Sequence, residues 1–246
     1  MQELSRKTQH FTDSVIRRMT RIAIANNAIN LAQGFPDFDP PKAMTDRLQE
    51  ISPIGPHQYP ITMGAPNFRR ALAKKCGRFM GRTLDPETEM VVTIGSTEAM
   101  VDTLFALTNP GDKIIMFSPY FENYRAQTLL VGCEPIFVPL VPPAFNYDAN
   151  VLEDAFRQGA KAILICNPSN PSGKVFTRAE LEQIAALAVK YDTYVIMDEV
   201  YEHIVYAPHK HIYMNSLPGM WERTVSCSSL SKTYSVTGWR LGYAIA

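Results

Sequence analysis

From Met90 onward the chain alternates two periodicities. Short runs of apolar and β-branched residues, MVVTIG, KIIMFSP, EPIFVPL, KAILICNP, YVIMDEVY and TVSCSSLSK, recur along it. Helical spacing fills most of the gaps, over 97–107, 121–131, 147–157 and 177–190. Strands alternating with helices predict an α/β fold, a mainly parallel sheet with helices on both faces. The near-continuous apolar character of the runs fits strands buried on both sides.

Upstream the pattern is looser. Val15, Ile16, Met19, Ile22 and Ala23 line one face of a helix expected over 12–26, with Asp13 or Thr12 as its cap. A turn-rich stretch, LAQGFPDFDPP, precedes a helix near 43–51. The irregular segment PIGPHQYPITMGAP then leads to a helix over 67–80. At the other end LGYAIA begins a further strand with no helix after it. That run is expected to be an uncovered strand edge of an incomplete chain. If 246 residues were the whole molecule, impaired folding and little turnover are expected.

Composition narrows the class. The 246 residues carry 24 Lys+Arg and 24 Asp+Glu, so the net charge is zero, which argues against a nucleic-acid partner. At 46% hydrophobic and 20% charged the chain is neither disordered nor fibrous. No apolar run approaches the roughly 18 residues of a membrane span. The opening MQELSRKTQHFTDS lacks the apolar core of a signal peptide, and a cytoplasmic address is expected. Cys76, Cys133, Cys166 and Cys227 are far apart, without the spacing of a disulfide framework or zinc module. Cys166 and Cys227 are expected to be buried thiols. His203, His209 and His211 read as a solvated loop around Pro208 rather than a metal site.

Ligands of open α/β sheets bind beyond the carboxyl ends of the strands, and there the sequence concentrates polar groups. Gly95, Ser96 and Thr97 follow the first run and open a helix, an arrangement suited to an anion but read as readily as an ordinary cap. Neither GxGxxG nor GxxxxGK[ST] occurs, so a dinucleotide or nucleoside triphosphate has no support. Ser118, Pro119, Tyr120 and Phe121 follow the second run, and Asn167 to Asn170 the fourth. Asp198 and Tyr201 end the fifth; such a carboxylate either caps the next turn or needs a cation beside it. Lys232 lies among small hydroxyl residues, with Arg240 eight positions on, surroundings that could turn its amine into a nucleophile. Ser229-Leu230-Ser231-Lys232 also reads as SxxK, but the SDN and KTG partners of an acyl-serine hydrolase are missing.

These residues carry a resemblance. SSLSKTYSVTGWRLGY resembles the cofactor-lysine signature of class I/II pyridoxal-phosphate aminotransferases of fold type I. ICNPSNPSGKVF resembles the Asn-Pro-x-Asn-Pro-x-Gly segment of that family, and IMDEVYEHIVY its Asp-Glu-x-Tyr strand. QGFPDFDPP and HQYP resemble its N-terminal arm and its subunit-crossing tyrosine segment, all in the expected order from about Ala32. GFPDFDPP, PYFENY, GKVFTRAELE and SLPGMWERT look most like the kynurenine–oxoacid transaminase branch, which includes glutamine transaminase K and cysteine-conjugate β-lyases.

The resemblance implies transamination between an L-amino acid, expected to be aromatic or large and apolar, and a 2-oxo acid. Lys232 would hold pyridoxal 5'-phosphate as a Schiff base and Asp198 would face its ring nitrogen. Tyr201 and Asn170 would bond its phenolic oxygen, and Phe121 would stack on the ring. Ser96, Thr97, Ser229 and Arg240 would hold the phosphate, joined by Tyr59 of a second subunit in a homodimer. Gly34 and Asn170 would meet the substrate carboxylate, and no metal is implied. Ile16, Phe35, Tyr59 and Phe121 are expected near the substrate side chain. Residues 1–45 would form an N-terminal arm and part of a small domain, and 46–246 a large cofactor-binding domain. The rest of the small domain, with an arginine for the substrate carboxylate, would lie outside this chain. A cysteine-conjugate β-lyase or an amino-acid oxidase is the alternative on the same residues. A cofactor-sensing regulator is disfavoured, because residues 1–30 show no helix-turn-helix pair.

Overall fold

The computed structural model describes residues 2–246 except residues 6, 9, 10, 12, 35 and 56. Among the described residues seven strands form one sheet in the order β1-β7-β6-β5-β4-β2-β3. They are β1 (Met90–Ile94), β2 (Lys113–Ser118), β3 (Glu134–Pro139), β4 (Ala160–Cys166), β5 (Tyr194–Asp198), β6 (Thr224–Ser229) and β7 (Leu241–Ile245). β3, β2, β4, β5 and β6 pair in parallel. β7 runs antiparallel to both of its neighbours, β1 and β6.

The helices are α1 (Val15–Ala25), α2 (Lys42–Ile51), α3 (Pro66–Met80), α4 (Gly95–Leu107), α5 (Asn123–Leu130), α6 (Ala149–Arg157) and α7 (Arg178–Lys190). Strand parity decides which of them cover which face. Ile114, Met116, Leu164 and Ile196 point to one side and pack with Ala99, Met100 and Leu104 of α4 and Tyr124 of α5. Ile115, Phe117, Ile163, Val195 and Met197 point to the other, against Leu152 and Phe156 of α6 and Leu181 and Ile184 of α7. Leu72, Cys76 and Met80 of α3 extend that second face over Met90, Tyr243 and Ile245. Both faces are therefore dry, as the continuous apolar runs require.

Helix ends follow local chemistry. Thr177 and Glu180 form a reciprocal capping box at the start of α7. Asp148 caps α6, so that helix starts two residues later than its periodicity suggests. α3 begins at Pro66 and ends on Gly81 in the left-handed conformation, where glycine carries no Cβ penalty. The cap of α1 is Ser14, whose hydroxyl accepts from Arg17 N–H, and not Asp13, which pairs instead with Arg21; Thr12 lies outside the described residues.

Two expectations need correction. β7 is not an uncovered edge: it lies inside the sheet, paired on both sides and packed against α3 and α4. Strand order is set by burial of both faces, which sequence order does not reveal. The histidine segment is not uniformly solvated either. The His211 ring is buried, its Nε2 3.2 Å from Glu199, because Glu199 follows Asp198 into the protein and needs a partner there. His209 is exposed, and among the described residues no cluster suits a metal ion. All four cysteines are free and buried.

Candidate active site

The carboxyl ends of β5 and β6 and the amino end of α4 surround a cavity of about 340 Å³, within the range of small-molecule sites. Asp198 and Tyr201 enter it from the end of β5, and Ser229 and Lys232 from the end of β6. Ser96 and Thr97 reach it from α4, Phe121 from the turn before α5, and Asn170 from the loop after β4. Arg240, just before β7, and Gly34 complete the set. Of the residues singled out in the sequence, Tyr59 is not on the wall; it is almost fully exposed. Ile16 and Phe121 do line the cavity, while Phe35 lies outside the described residues.

One end of the cavity is electropositive. No side chain caps Ile94, the N-cap of α4, although Glu98 turns back to bond the Ile94 N–H. The Arg240 guanidinium lies over this helix end, donating to the carbonyls of Thr237 at 2.9 Å and Ile94 at 3.5 Å. Gly95 has φ +75°, and a Cβ there would collide with the guanidinium. Gly242 permits an equally close approach of β7, since its Cβ would strike the Gly95–Ser96 backbone. Two glycines thus bring an arginine and a helix amino terminus to one point. Arg240 has no carboxylate partner among the described residues. Such a seat attracts an anion.

The other end holds a buried carboxylate. Asp198 accepts the Tyr124 hydroxyl at 2.6 Å on Oδ2 and the Val200 N–H at 3.2 Å on Oδ1. Burial pushes its pKa above the ordinary carboxyl value, against the pull of those two donors. Glu199 pushes the same way as burial, and the Lys232 charge opposes it. Lys232 is half-buried, and its Nζ donates to the Gly34 carbonyl at 2.8 Å. It lies 5.8 Å from the centre of the Tyr201 ring. Desolvation lowers the pKa of this amine, and only Asp198 holds it up. Burial raises the Tyr201 phenol, followed by Cys166 and Asp198, so the phenol stays protonated.

Sequence reasoning missed several members of the wall. Tyr124 reads as one more apolar helix position, although PYFENY places it three residues after Phe121. Ser14, Arg17 and Glu122 also line the cavity. The Ser14 hydroxyl donates to the Glu122 carboxylate and so ties α1 to the rim. No local pattern announces that contact, which spans 108 positions.

A doubly covered, mainly parallel sheet thus carries an amine, a buried carboxylate and an anion seat at its carboxyl edge. The comparisons supply the class: the family described as aminotransferase class I and II matches residues 26–246. This chain belongs to that family, whose members depend on pyridoxal phosphate. It is 36% identical to kynurenine–oxoglutarate transaminase 3 of Mus musculus, over 98% of this chain and 55% of that protein. It is 38% identical to the probable N-succinyldiaminopimelate aminotransferase DapC of Mycobacterium tuberculosis, over 95% and 59%. Among solved structures, the N-succinyldiaminopimelate aminotransferase of M. tuberculosis superposes with a TM-score of 0.93 at 36% identity, covering 99% of this chain and 64% of that one. Escherichia coli YbdL, described with a methionine aminotransferase function, gives 0.93 at 32%, covering 100% and 64%. The chain thus spans about half the length of the curated relatives it matches.

Proposed function

We propose that the chain forms the cofactor-binding part of an aminotransferase that moves an amino group between an L-amino acid and a 2-oxo acid. One observation carries the reading: a half-buried amine, Lys232, shares a single cavity with a buried carboxylate, Asp198, and with the Arg240–α4 anion seat. The fit to pyridoxal phosphate is chemical. The uncapped helix end and Arg240 suit its phosphate, and Asp198 is a desolvated anion that needs a cation such as a protonated ring nitrogen. Lys232 would hold the aldehyde, Phe121 would lie on the ring, and Tyr201 and Asn170 would bond its phenolic oxygen. Ser96, Thr97, Ser229 and Arg240 would hold the phosphate. When bound, the cofactor supplies an electron sink for charge developing at the substrate α-carbon.

The chain's own residues then bind, orient and move protons. Desolvation lowers the pKa of the Lys232 amine and so favours its free base, the form that would take a proton at the substrate α-carbon and return it. Two donors favour the charged form of Asp198, against the burial that disfavours it. The carbonyl of Gly34 holds the amine at the floor of the cavity, and the backbone there would approach the substrate carboxylate.

Ile16, Phe121 and Tyr201 give the wall an apolar and aromatic side, which supports an aromatic or large apolar substrate. A homodimer belongs to the reading, with exposed Tyr59 reaching the phosphate of the second subunit. Residues 1–45 act as an arm and part of a small domain, and 46–246 as the large domain; α1 buries no residue, which supports a separate arm, while α2 runs across the boundary. A cytoplasmic location fits four free thiols. The test is a panel of amino donors and 2-oxo acid acceptors on the purified dimer, beside Lys232→Ala. Turnover dependent on both substrates and abolished by the substitution is expected. Full activity in Lys232→Ala would refute the proposal.

A further inference from the structure

We infer that Tyr124 is a positioning residue for the cofactor ring, holding the Asp198 carboxylate in the orientation and charge state that the ring nitrogen requires. The inference rests on the proposed cofactor reading. Tyr124 belongs to the apolar cluster between α4, α5 and the sheet, where a phenylalanine would fill the same volume. Its hydroxyl nevertheless crosses to β5 and meets Asp198 Oδ2 at 2.6 Å. Asp198 Oδ1 takes the Val200 N–H, so each oxygen has one fixed donor and the carboxylate cannot rotate freely.

The placement follows from helix geometry. Phe121, in the turn before α5, and Tyr124, in the first turn of that helix, are three positions apart and joined by the Tyr124 N–H to the Phe121 carbonyl at 3.0 Å, with ring centres 5.6 Å apart and planes at 80°. The turn that leads into α5 therefore offers a stacking face and a hydroxyl to the same ring site. One turn further, Gln127 Nε2 donates to the Thr97 carbonyl at 3.1 Å, fixing α5 to the helix that forms the anion seat. The titratable groups around the carboxylate are Tyr124 from α5, Cys166 from β4, Cys227 from β6, Lys232 beyond β6, and Glu199 and Tyr201 just after Asp198 in the chain. Among these Tyr124 is the neutral side chain that donates to it, so the hydroxyl stabilises the charged carboxylate without competing for the ring nitrogen's proton.

Tyr124→Phe removes only the hydroxyl. We would compare binding of pyridoxal phosphate and of its 1-deaza analogue, which has carbon in place of the ring nitrogen, by equilibrium dialysis of the parent and variant. The expected result is a roughly 10- to 100-fold loss of affinity for pyridoxal phosphate, the scale of a hydrogen bond to a charged group. Affinity for the analogue should change by less than about threefold. A packing role alone would weaken both ligands equally, and equal losses, or no loss for either, would overturn the inference. Tyr124→His, whose ring N–H can also donate, should regain part of the preference for pyridoxal phosphate; no recovery in a folded variant would count against it. If the parent bound neither ligand, the cofactor reading itself would fail, an outcome distinct from equal losses.

Discussion

The Arg240 guanidinium occupies the space that a Cβ on Gly95 would fill. The absence of a side chain at one position thus sets the reach of an arginine 145 positions away. Gly95→Ala should push the guanidinium aside and also strain a backbone with φ +75°, where Ala is disfavoured by about 1 kcal/mol or more. Affinity for pyridoxal phosphate should fall roughly tenfold or more, the scale of one charge-assisted contact. Affinity for pyridoxal, which lacks the phosphate, should barely change. Equal losses for both ligands would separate Arg240 from phosphate binding.

The amine of Lys232 should react at lower pH than an ordinary lysine. Burial disfavours its charged form more than Asp198 restores it, so the folded pKa lies below the usual value. The free base is then present at a pH where an exposed lysine, at about 10.4, is still protonated. The rate of cofactor capture, followed by absorbance, should rise with pH and reach its midpoint below that value. A midpoint at or above it would mean that water reaches the amine freely.

Glu202 is buried below the sheet edge, where it accepts Lys75 Nζ at 2.6 Å and the Tyr213 hydroxyl at 2.7 Å. Burial alone would raise its pKa, but Lys75 and Tyr213 outweigh it and hold the carboxyl below its ordinary value. A depressed folded pKa gives stability that is present above the unfolded value of about 4.3 and lost as pH falls through the folded one. Lys75→Met strands the carboxylate, at about 3 kcal/mol near pH 7. That penalty should shrink toward pH 4, where Glu202 can take up a proton. Urea titrations at both pH values would check it, and a penalty independent of pH would exclude the ion pair as its source.

Ser14 caps α1 and also donates to Glu122. α1 buries none of its residues, so these bonds carry much of its attachment, and an isolated helix of 11 residues is marginal. Ser14→Ala should speed amide hydrogen exchange throughout α1 while the sheet amides and the global unfolding midpoint stay unchanged. Unchanged exchange in α1 would show that other contacts hold it over the cavity.

Much of this was legible in the chain, for a physical reason. Strands buried on both faces need unbroken apolar runs, and β1 through β7 each begin within a residue of theirs. The cavity residues were legible because polar groups at the carboxyl ends of such strands stand against the background. What escaped depends on contacts between distant segments. Tyr124 looks like core until its hydroxyl meets Asp198, and the acceptor of Ser14, Glu122, lies 108 positions away in the turn before α5. The interior place of β7 was hidden because nothing local distinguishes an inserted strand from an edge. Helix starts moved by up to three residues, some set by caps, as at Ser14 and Asp148, and others without one, as in α4 and α5.

The place of β7 also constrains the order of assembly. Among the described residues β1 pairs within the sheet with β7 alone, and Ile94 must wait for Leu241, 147 positions later. During synthesis β2 through β5 can associate as they emerge, while β1 remains without its ladder until the ribosome has delivered β7. Closing so long a loop is slow, and the same late event brings Arg240 to the amino end of α4. Acquisition of the anion seat and completion of the sheet are therefore a single step in the biogenesis of this protein.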